Sequence, residues 1–329
     1  MSCVVHVAIH ESQSPGAVRE DLLESLRARR INHKFHYDSF KQARKWLALH
    51  RTYSPSRTDP DCAGVYDRSF ISAATRIDSA TAHVIGLGCG GGQKDTRLLR
   101  LLRERGKEAR YSPCDVSVAM VLVARETARE VIGEETCFPT VCDLAKASNL
   151  SQLFDPHTPP HGSRLVTFFG MIPNFEPQLI LPKLAALVRS GDLLLFSANL
   201  APGSDYPAGV RRILPLYDNE LTRDWLMTFL TDLGVERADG ELRFGIDSDD
   251  AGGELLRITA TFHFGRAREI RVDGERFEFR AGDAIRLFFS YRHTPEHVRV
   301  LLAGHGLEVL DQWVAHSEEE GVFLCRRGQ

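Results

Sequence analysis

Five glycines fall within seven residues of the stretch VIGLGCGGGQKDT (84–96), and two aspartates follow at spacings that suit a nucleoside. Gly86, Gly88, Gly90, Gly91 and Gly92 let a chain bend sharply and bring its backbone against a ligand with no β-carbon between. Alone, such a loop serves dinucleotide enzymes, nucleotide enzymes and plain tight turns. The aspartates narrow the choice. Asp115, in YSPCDVS, closes a short run about twenty-five residues after the loop, where an acid accepts hydrogen bonds from both ribose hydroxyls. Asp143, in TVCDLA, closes the next run. There a carboxylate can accept from the exocyclic amine of adenine while the backbone amide of Leu144 meets the ring.

These groups need strand tips to hold them side by side. Residues 81–85 form a β-branched apolar run ending in glycines, which predicts a buried parallel strand. Helical spacing follows over 95–105, a second strand over 110–112, a helix over 118–132 and a third strand over 137–142. A fourth strand is expected at 165–169, a helix at 179–188 and a fifth strand at 193–197 after the Ser190–Gly191–Asp192 turn. Alternation of this kind implies a parallel sheet with right-handed crossovers. At the end of the chain, Thr294 and Pro295 signal the start of a helix over 295–303, and 307–314 with 321–325 read as a hairpin. The expected fold is therefore α/β, a doubly wound, seven-stranded, Rossmann-like sheet of the class I methyltransferase kind, with a smaller α+β substrate domain. The sheet domain is assigned 62–200 and 293–329. The substrate domain takes 1–61, read as having no place in the sheet, and the insertion 201–292, where Asp273–Gly274 marks a hairpin turn between 269–272 and 275–279.

Composition sets outer limits. The 329 residues are 43% hydrophobic and 26% charged, ordinary for a globular protein. A net charge of −3 gives no footing for a nucleic-acid partner. Arg97, Arg100, Arg103 and Arg105 interleave with leucines and read as the solvated face of a helix. No apolar run approaches the ~20 residues of a membrane span. Seven cysteines (Cys3, Cys62, Cys89, Cys114, Cys137, Cys142 and Cys325) contain no CxxC pair, so reduced cytoplasmic thiols and no metal site are expected. A small-molecule substrate and a monomer or homodimer complete the expectation.

A nicotinamide enzyme uses the first carboxylate and has no standard use for the second. With the SGDLLLF turn and strand, the pair favours S-adenosylmethionine over NAD. One feature departs from this: many such methyltransferases carry an acid at the start of the glycine motif, and here that position is Gly86. The contact to the methionine amino group must then come from elsewhere or be weaker.

Across most of its length the chain resembles the histidine-specific Nα-methyltransferases of ergothioneine synthesis and their fungal indole-amino-acid relatives, as a divergent member. KFHYDSF followed by TYSPSRTD is similar to that family's N-terminal signature, and LGCGGGQKDTRLL to its glycine loop with one extra residue. YSPCDVS, FFGMIPNFEP, LPLYDNELTRDW and RLFFSYRHTPEHV resemble further segments in the same order. The resemblance implies that Gly88, Gly90, Lys94, Asp115 and Asp143 bind cofactor. It implies that Tyr53, Asn174 and Tyr217 hold an amino acid's α-amino and α-carboxylate groups, and that Tyr37, Asn174 and Tyr217 line the methyl-transfer path. Each has a plainer alternative: Tyr37 and Tyr53 as half-buried aromatics, Asn174 as a helix cap.

Two positions depart from the family. A glutamate two residues before Ser290 grips the imidazole there, and Phe288 stands in its place; Ala260 replaces a methionine packed beside it. Exchanging a carboxylate for a phenyl removes a charge-assisted hydrogen bond of ~1.5–3 kcal/mol, which favours an apolar or aromatic substrate side chain over histidine. The expected activity is N-methylation of the α-amine of an amino acid or a molecule derived from one. The alternatives are a small-molecule methyltransferase acting on another amine, a hydroxyl or a thiol in secondary metabolism, or a non-catalytic cofactor-binding partner protein. Methyl transfer from a sulfonium is a direct displacement by the substrate, so no protein nucleophile is sought. The histidines, His50, His263, His293 and His305 among them, read as surface or core residues.

Overall fold

The run Thr81–Leu87 has six consecutive buried residues, as a strand between two helical layers requires. The computed structural model describes residues 4–248 and 254–328. In it strand β1 (Ala8–Ile9) is followed by helices α1 (Pro15–Ala28), α2 (Phe40–Tyr53), α3 (Pro55–Thr58) and α4 (Pro60–Thr75). Strands and helices then alternate: β2 (Thr81–Leu87), α5 (Gln93–Glu104), β3 (Glu108–Asp115), α6 (Val118–Ala128), β4 (Thr140–Val141) and α7 (Leu150–Phe154). The series continues through β5 (Ser163–Phe168), α8 (Pro177–Leu187) and β6 (Leu193–Asn199). Next come α9 (Tyr206–Tyr217), α10 (Glu220–Asp232), β7 (Gly240–Ser248), β8 (Leu256–Phe264), β9 (Arg268–Val272), β10 (Glu275–Phe279) and β11 (Ala284–Tyr291). Helix α11 (Pro295–Ala303) and strands β12 (Leu307–Val314) and β13 (Glu320–Arg327) end the chain.

The principal sheet runs β1-β4-β3-β2-β5-β6-β13-β12, parallel up to β6 and antiparallel across the last two strands. All seven expected strands are present. An eighth extends the edge, and it corrects the reading of residues 1–61 as having no place in the sheet: Ala8 and Ile9 pair with Thr140 and Val141. Two residues carry too little hydrophobic pattern to announce a strand. The third expected strand is shorter than 137–142, because Pro139 offers no amide to the ladder and leaves Cys137 in a single bridge to Tyr111. The six described cysteines are all free; Cys3 lies outside the described residues.

One apolar cluster on the sheet gathers Ile85, Val166 and Phe196 with Leu181 and Leu184 of α8. Another joins Val84, Leu165 and Leu195 to Leu98 and Leu102 of α5 and to Phe70 of α4. A third lies round the antiparallel sheet β11-β8-β7, where Leu26, Ile31 and Phe35 pack with Trp225, Phe229, Phe262 and Phe288. The Asp273–Gly274 turn joins β9 to β10 as expected. Side-chain caps fix the approach of the N-terminal helices. Ser14 accepts from the Ala17 amide at the start of α1, and Ser39 and Gln42 form a capping box on α2.

Candidate active site

The glycine loop leaves β2 and enters α5 with Gly88, Gly90 and Gly92 at positive φ. Gly88 has φ +65°, and a β-carbon there would overlap the thioether of Met171 on the loop after β5. At Gly86 the backbone is ordinary, and space sets the constraint. A β-carbon would fall inside the Asp95 carboxylate and within 3.1 Å of the Tyr111 ring. Asp95, in the first turn of α5, is 3% exposed, and its carboxylate accepts from the Tyr111 hydroxyl at 2.7 Å and from Thr167 at 2.8 Å. Burial outweighs those two hydrogen bonds and pushes its pKa up to about 6. An acid on the helix thus packs against position 86, and both of its oxygens are held by the sheet.

Asp115 closes β3 and Asp143 lies two residues past β4, on the neighbouring strand. The Asp115 carboxylate accepts amide hydrogens from Gly90 at 3.2 Å and Ser117 at 3.1 Å, so the glycine loop and the strand tip are already joined. Burial again prevails over these bonds and raises Asp115 to about 6. One Asp143 oxygen accepts from the Ala145 amide at 2.9 Å, and the other faces the Lys34 ammonium at 3.4 Å. Leu144 is buried beside it. Lys94 donates to the Tyr66 hydroxyl at 2.7 Å, lies 3.9 Å from that ring's centroid and pairs with buried Glu320 at 3.5 Å. The donor set suits S-adenosylmethionine: two carboxylates on adjacent strand tips for the nucleoside, and a loop that a β-carbon at position 88 would fill.

A second group of side chains comes from the antiparallel sheet and from the N-terminal segment. Phe288 of β11 and Ala260 of β8, the two departures from the family pattern, are direct cross-strand partners and both are buried. The Phe288 ring lies 5.1 Å from His33, 5.9 Å from Tyr217 and 5.9 Å from Trp225. Tyr217 shares a hydrogen bond of 2.8 Å with Ser290 and accepts another of 2.8 Å from Arg292. Asn174 donates to the Phe289 carbonyl at 2.7 Å. The helix that follows it is capped by Glu176 with no side-chain bond, so helix capping is not its role. Tyr37 packs between Trp46 and Trp225, at 5.8 and 5.5 Å. Burial, with a smaller contribution from the Asp115 charge, raises its pKa and keeps the phenol protonated. Tyr53 stands apart: it ends α2, is 50% exposed, and its side chain has no hydrogen bond or ring contact among the described residues.

Residues 18–327 match the family described as histidine-specific, SAM-dependent methyltransferase. The chain belongs to that family. It is an S-adenosylmethionine-dependent methyltransferase. The histidine N-alpha-methyltransferase of Mycobacterium tuberculosis is 27% identical to it over 347 residues, covering 98% of this chain and 99% of that one. The protein of the same name from Mycolicibacterium smegmatis is 26% identical over 295 residues, with 84% and 83% covered. Among solved structures, the CcbJ methyltransferase of Streptomyces caelestis aligns at a TM-score of 0.41 with 14% identity, covering 82% of this chain and 96% of that one. No helix among the described residues is long and apolar enough to cross a membrane.

Several residues near the methyltransferase's site carried no separate sequence signal. Nothing local marks Asp95, in the first turn of α5, as the acid packed against Gly86. Lys34 sits in the N-terminal signature, but its partner Asp143 is 109 positions away. Trp46, Trp225 and His33 are aromatic residues in amphipathic surroundings, where a core position is the default reading.

Proposed function

We propose that the methyltransferase N-methylates the α-amino group of an amino acid, or of a small molecule derived from one, whose side chain is apolar or aromatic rather than imidazole. The observation that carries this reading is the pairing of Phe288 with Ala260. The group that would accept a hydrogen bond from imidazole is a phenyl ring, set among Trp225, Tyr217 and His33. An aromatic ligand gains ~0.5–1.5 kcal/mol from such neighbours beyond area burial. Both relatives are named for histidine, and this chain differs from the family pattern at the two positions expected to recognise it.

S-adenosylmethionine, when bound, supplies an electrophilic methyl group. The chain's contribution is orientation and exclusion of water, whose entropic worth reaches ~7–11 kcal/mol in well-held reactions. Asp115 and Asp143 hold the nucleoside, and Gly86, Gly88, Gly90 and Lys94 form the other end of the cofactor cradle. Asn174, Tyr217 and Ser290 hold the polar end of the substrate. Tyr37 and Tyr217 can relay the departing amine proton to water, Tyr37 as a neutral phenol. Turnover of a panel of amino acids with S-adenosylmethionine, followed by mass of the N-methylated product, tests the proposal. Methylation of histidine alone, or of no α-amino acid, overturns it.

A second reading draws on the position of Tyr53. If no tyrosine comes to an α-carboxylate from α2, the acceptor is another amine, a hydroxyl or a thiol of a small molecule. Activity left intact by Tyr53→Phe combined with Asn174→Ala favours that reading.

A further inference from the structure

Four charged side chains form a continuous run beside the tip of β4, from Asp143 through Lys34 and Asp21 to Lys146. Lys34 comes from a short turn between α1 and α2 and is 5% exposed. Its ammonium has three hydrogens and three acceptors: Gln13 Oε1 at 3.1 Å, the carboxylate of Asp21 and, at 3.4 Å, that of Asp143. Asp21 is 2% exposed and also takes the ammonium of Lys146, three positions after Asp143. Two acids and two bases thus balance in a space from which three of the four are withdrawn from water. The N-terminal segment is fastened to the same strand tips by uncharged bonds. The Asp143 amide donates to the Ser12 hydroxyl at 3.0 Å, and Gln13 donates to the Val116 carbonyl at 2.7 Å.

A buried ammonium needs a partner, and Asp21 supplies one. Its second carboxylate is the residue that faces the adenine amine in the reading above. We propose that Lys34 is a positioning residue for the cofactor's base. By donating to one oxygen of Asp143, while the Ala145 amide donates to the other, it fixes the carboxylate's rotation; a carboxylate held there suits a 6-aminopurine and repels a 6-oxopurine. The inference rests on the reading of Asp143 as the adenine contact. It also makes residues 10–37 part of the cofactor site: the segment that ends in Tyr37 is tied through Lys34 to the nucleoside end, three residues before that tyrosine.

Calorimetry on the full chain with S-adenosylhomocysteine and its deaminated analogue S-inosylhomocysteine tests this. Lys34→Met, which keeps the stem and removes the charge, is expected to weaken S-adenosylhomocysteine about tenfold or more and to shrink the preference over the inosyl compound by a similar factor. In an Asp143→Asn background the same substitution is expected to change affinity less than about twofold, since residues acting through one contact are not additive. Lys41→Met, at an exposed ion pair with Asp232, serves as the control and leaves affinity unchanged. Should Lys34→Met fail to fold, Lys34→Met with Asp21→Asn removes one charge of each sign and answers the same question. Wild-type affinity and preference in the folded Lys34 variant, or an equal loss in the Asp143→Asn background, overturns the proposal while leaving the cofactor reading intact. Full affinity in Asp143→Asn alone removes the cofactor reading and this inference with it.

Discussion

The carboxylate of Asp95 fills the space that a side chain at Gly86 would occupy, and three adjacent strands meet there: Tyr111 of β3 and Thr167 of β5 bind the acid over the glycine of β2. The glycine on the strand and the acid on the helix pack as one unit. Gly86→Ala is therefore expected to destabilise the protein by ~1–3 kcal/mol, the range for overpacking a filled interior. Asp95→Gly should relieve most of that penalty in the double variant. Urea unfolding of the four proteins measures the coupling. Additive penalties would show that the two sites are independent.

The same aspartate fixes a pH dependence. Its pKa is about 6 in the folded protein, against ~3.9 in an unfolded chain. Between those values the folded state binds the extra proton, so the group's contribution to stability falls as pH rises from ~4 and is lowest above ~6. Asparagine does not titrate. Asp95→Asn should thus gain on wild type progressively between pH 4 and 6 and hold a constant advantage above pH 7, of up to ~3 kcal/mol at 1.36 kcal/mol per unit. Asp115 is also raised to about 6 but is common to both proteins, so it cancels in the difference. A stability difference that stays flat from pH 4 to 8 would contradict the assignment.

Much of this was legible in advance because parallel strands announce themselves locally. Thr81–Leu87 and Leu193–Asn199 are apolar runs ended by glycine or turn residues, and the Asp115 and Asp143 positions follow from where such runs stop. What stayed hidden depends on contacts distant in sequence. Ala8–Ile9 becomes a strand only because Thr140–Val141 presents a free edge to it. Lys34 finds Asp143 across 109 residues, and Arg257 of β8 reaches Glu176 across 81. A lysine or an arginine in a sequence reads as surface, and nothing local tells that each of these is buried against an acid.

The two strand-tip carboxylates should fail in different ways. Asp115→Ala removes the acceptor proposed for the ribose and also releases the Gly90 amide, unfastening the loop. Two lost charge-assisted bonds predict S-adenosylhomocysteine affinity down by about a hundredfold or more. Asp143→Ala removes one acceptor but leaves Lys34 without it, so a similar loss of affinity should come with a lower Tm in the absence of ligand. Calorimetry paired with thermal melting separates the two. Unchanged affinity in either variant places the nucleoside elsewhere.

The proposed substrate preference puts its sharpest test on the β8–β11 pair. Phe288 and Ala260 face one another across the ladder, so a side chain placed at one position meets the one at the other. Phe288→Glu alone buries an acid among Trp225, Tyr217 and His33, and is expected to lower stability and activity on every substrate. Combined with Ala260→Met, the glutamate gains a thioether neighbour across the ladder. A charge-assisted bond to imidazole then appears, worth ~1.5–3 kcal/mol. The ratio of kcat/KM for histidine to that for phenylalanine should rise by at least about tenfold over wild type. The direction is the decisive part of the measurement. If the double variant binds cofactor normally and the ratio stays put, these two positions do not read the side chain, and the selectivity lies with His33, Trp225 or the segment carrying Tyr37.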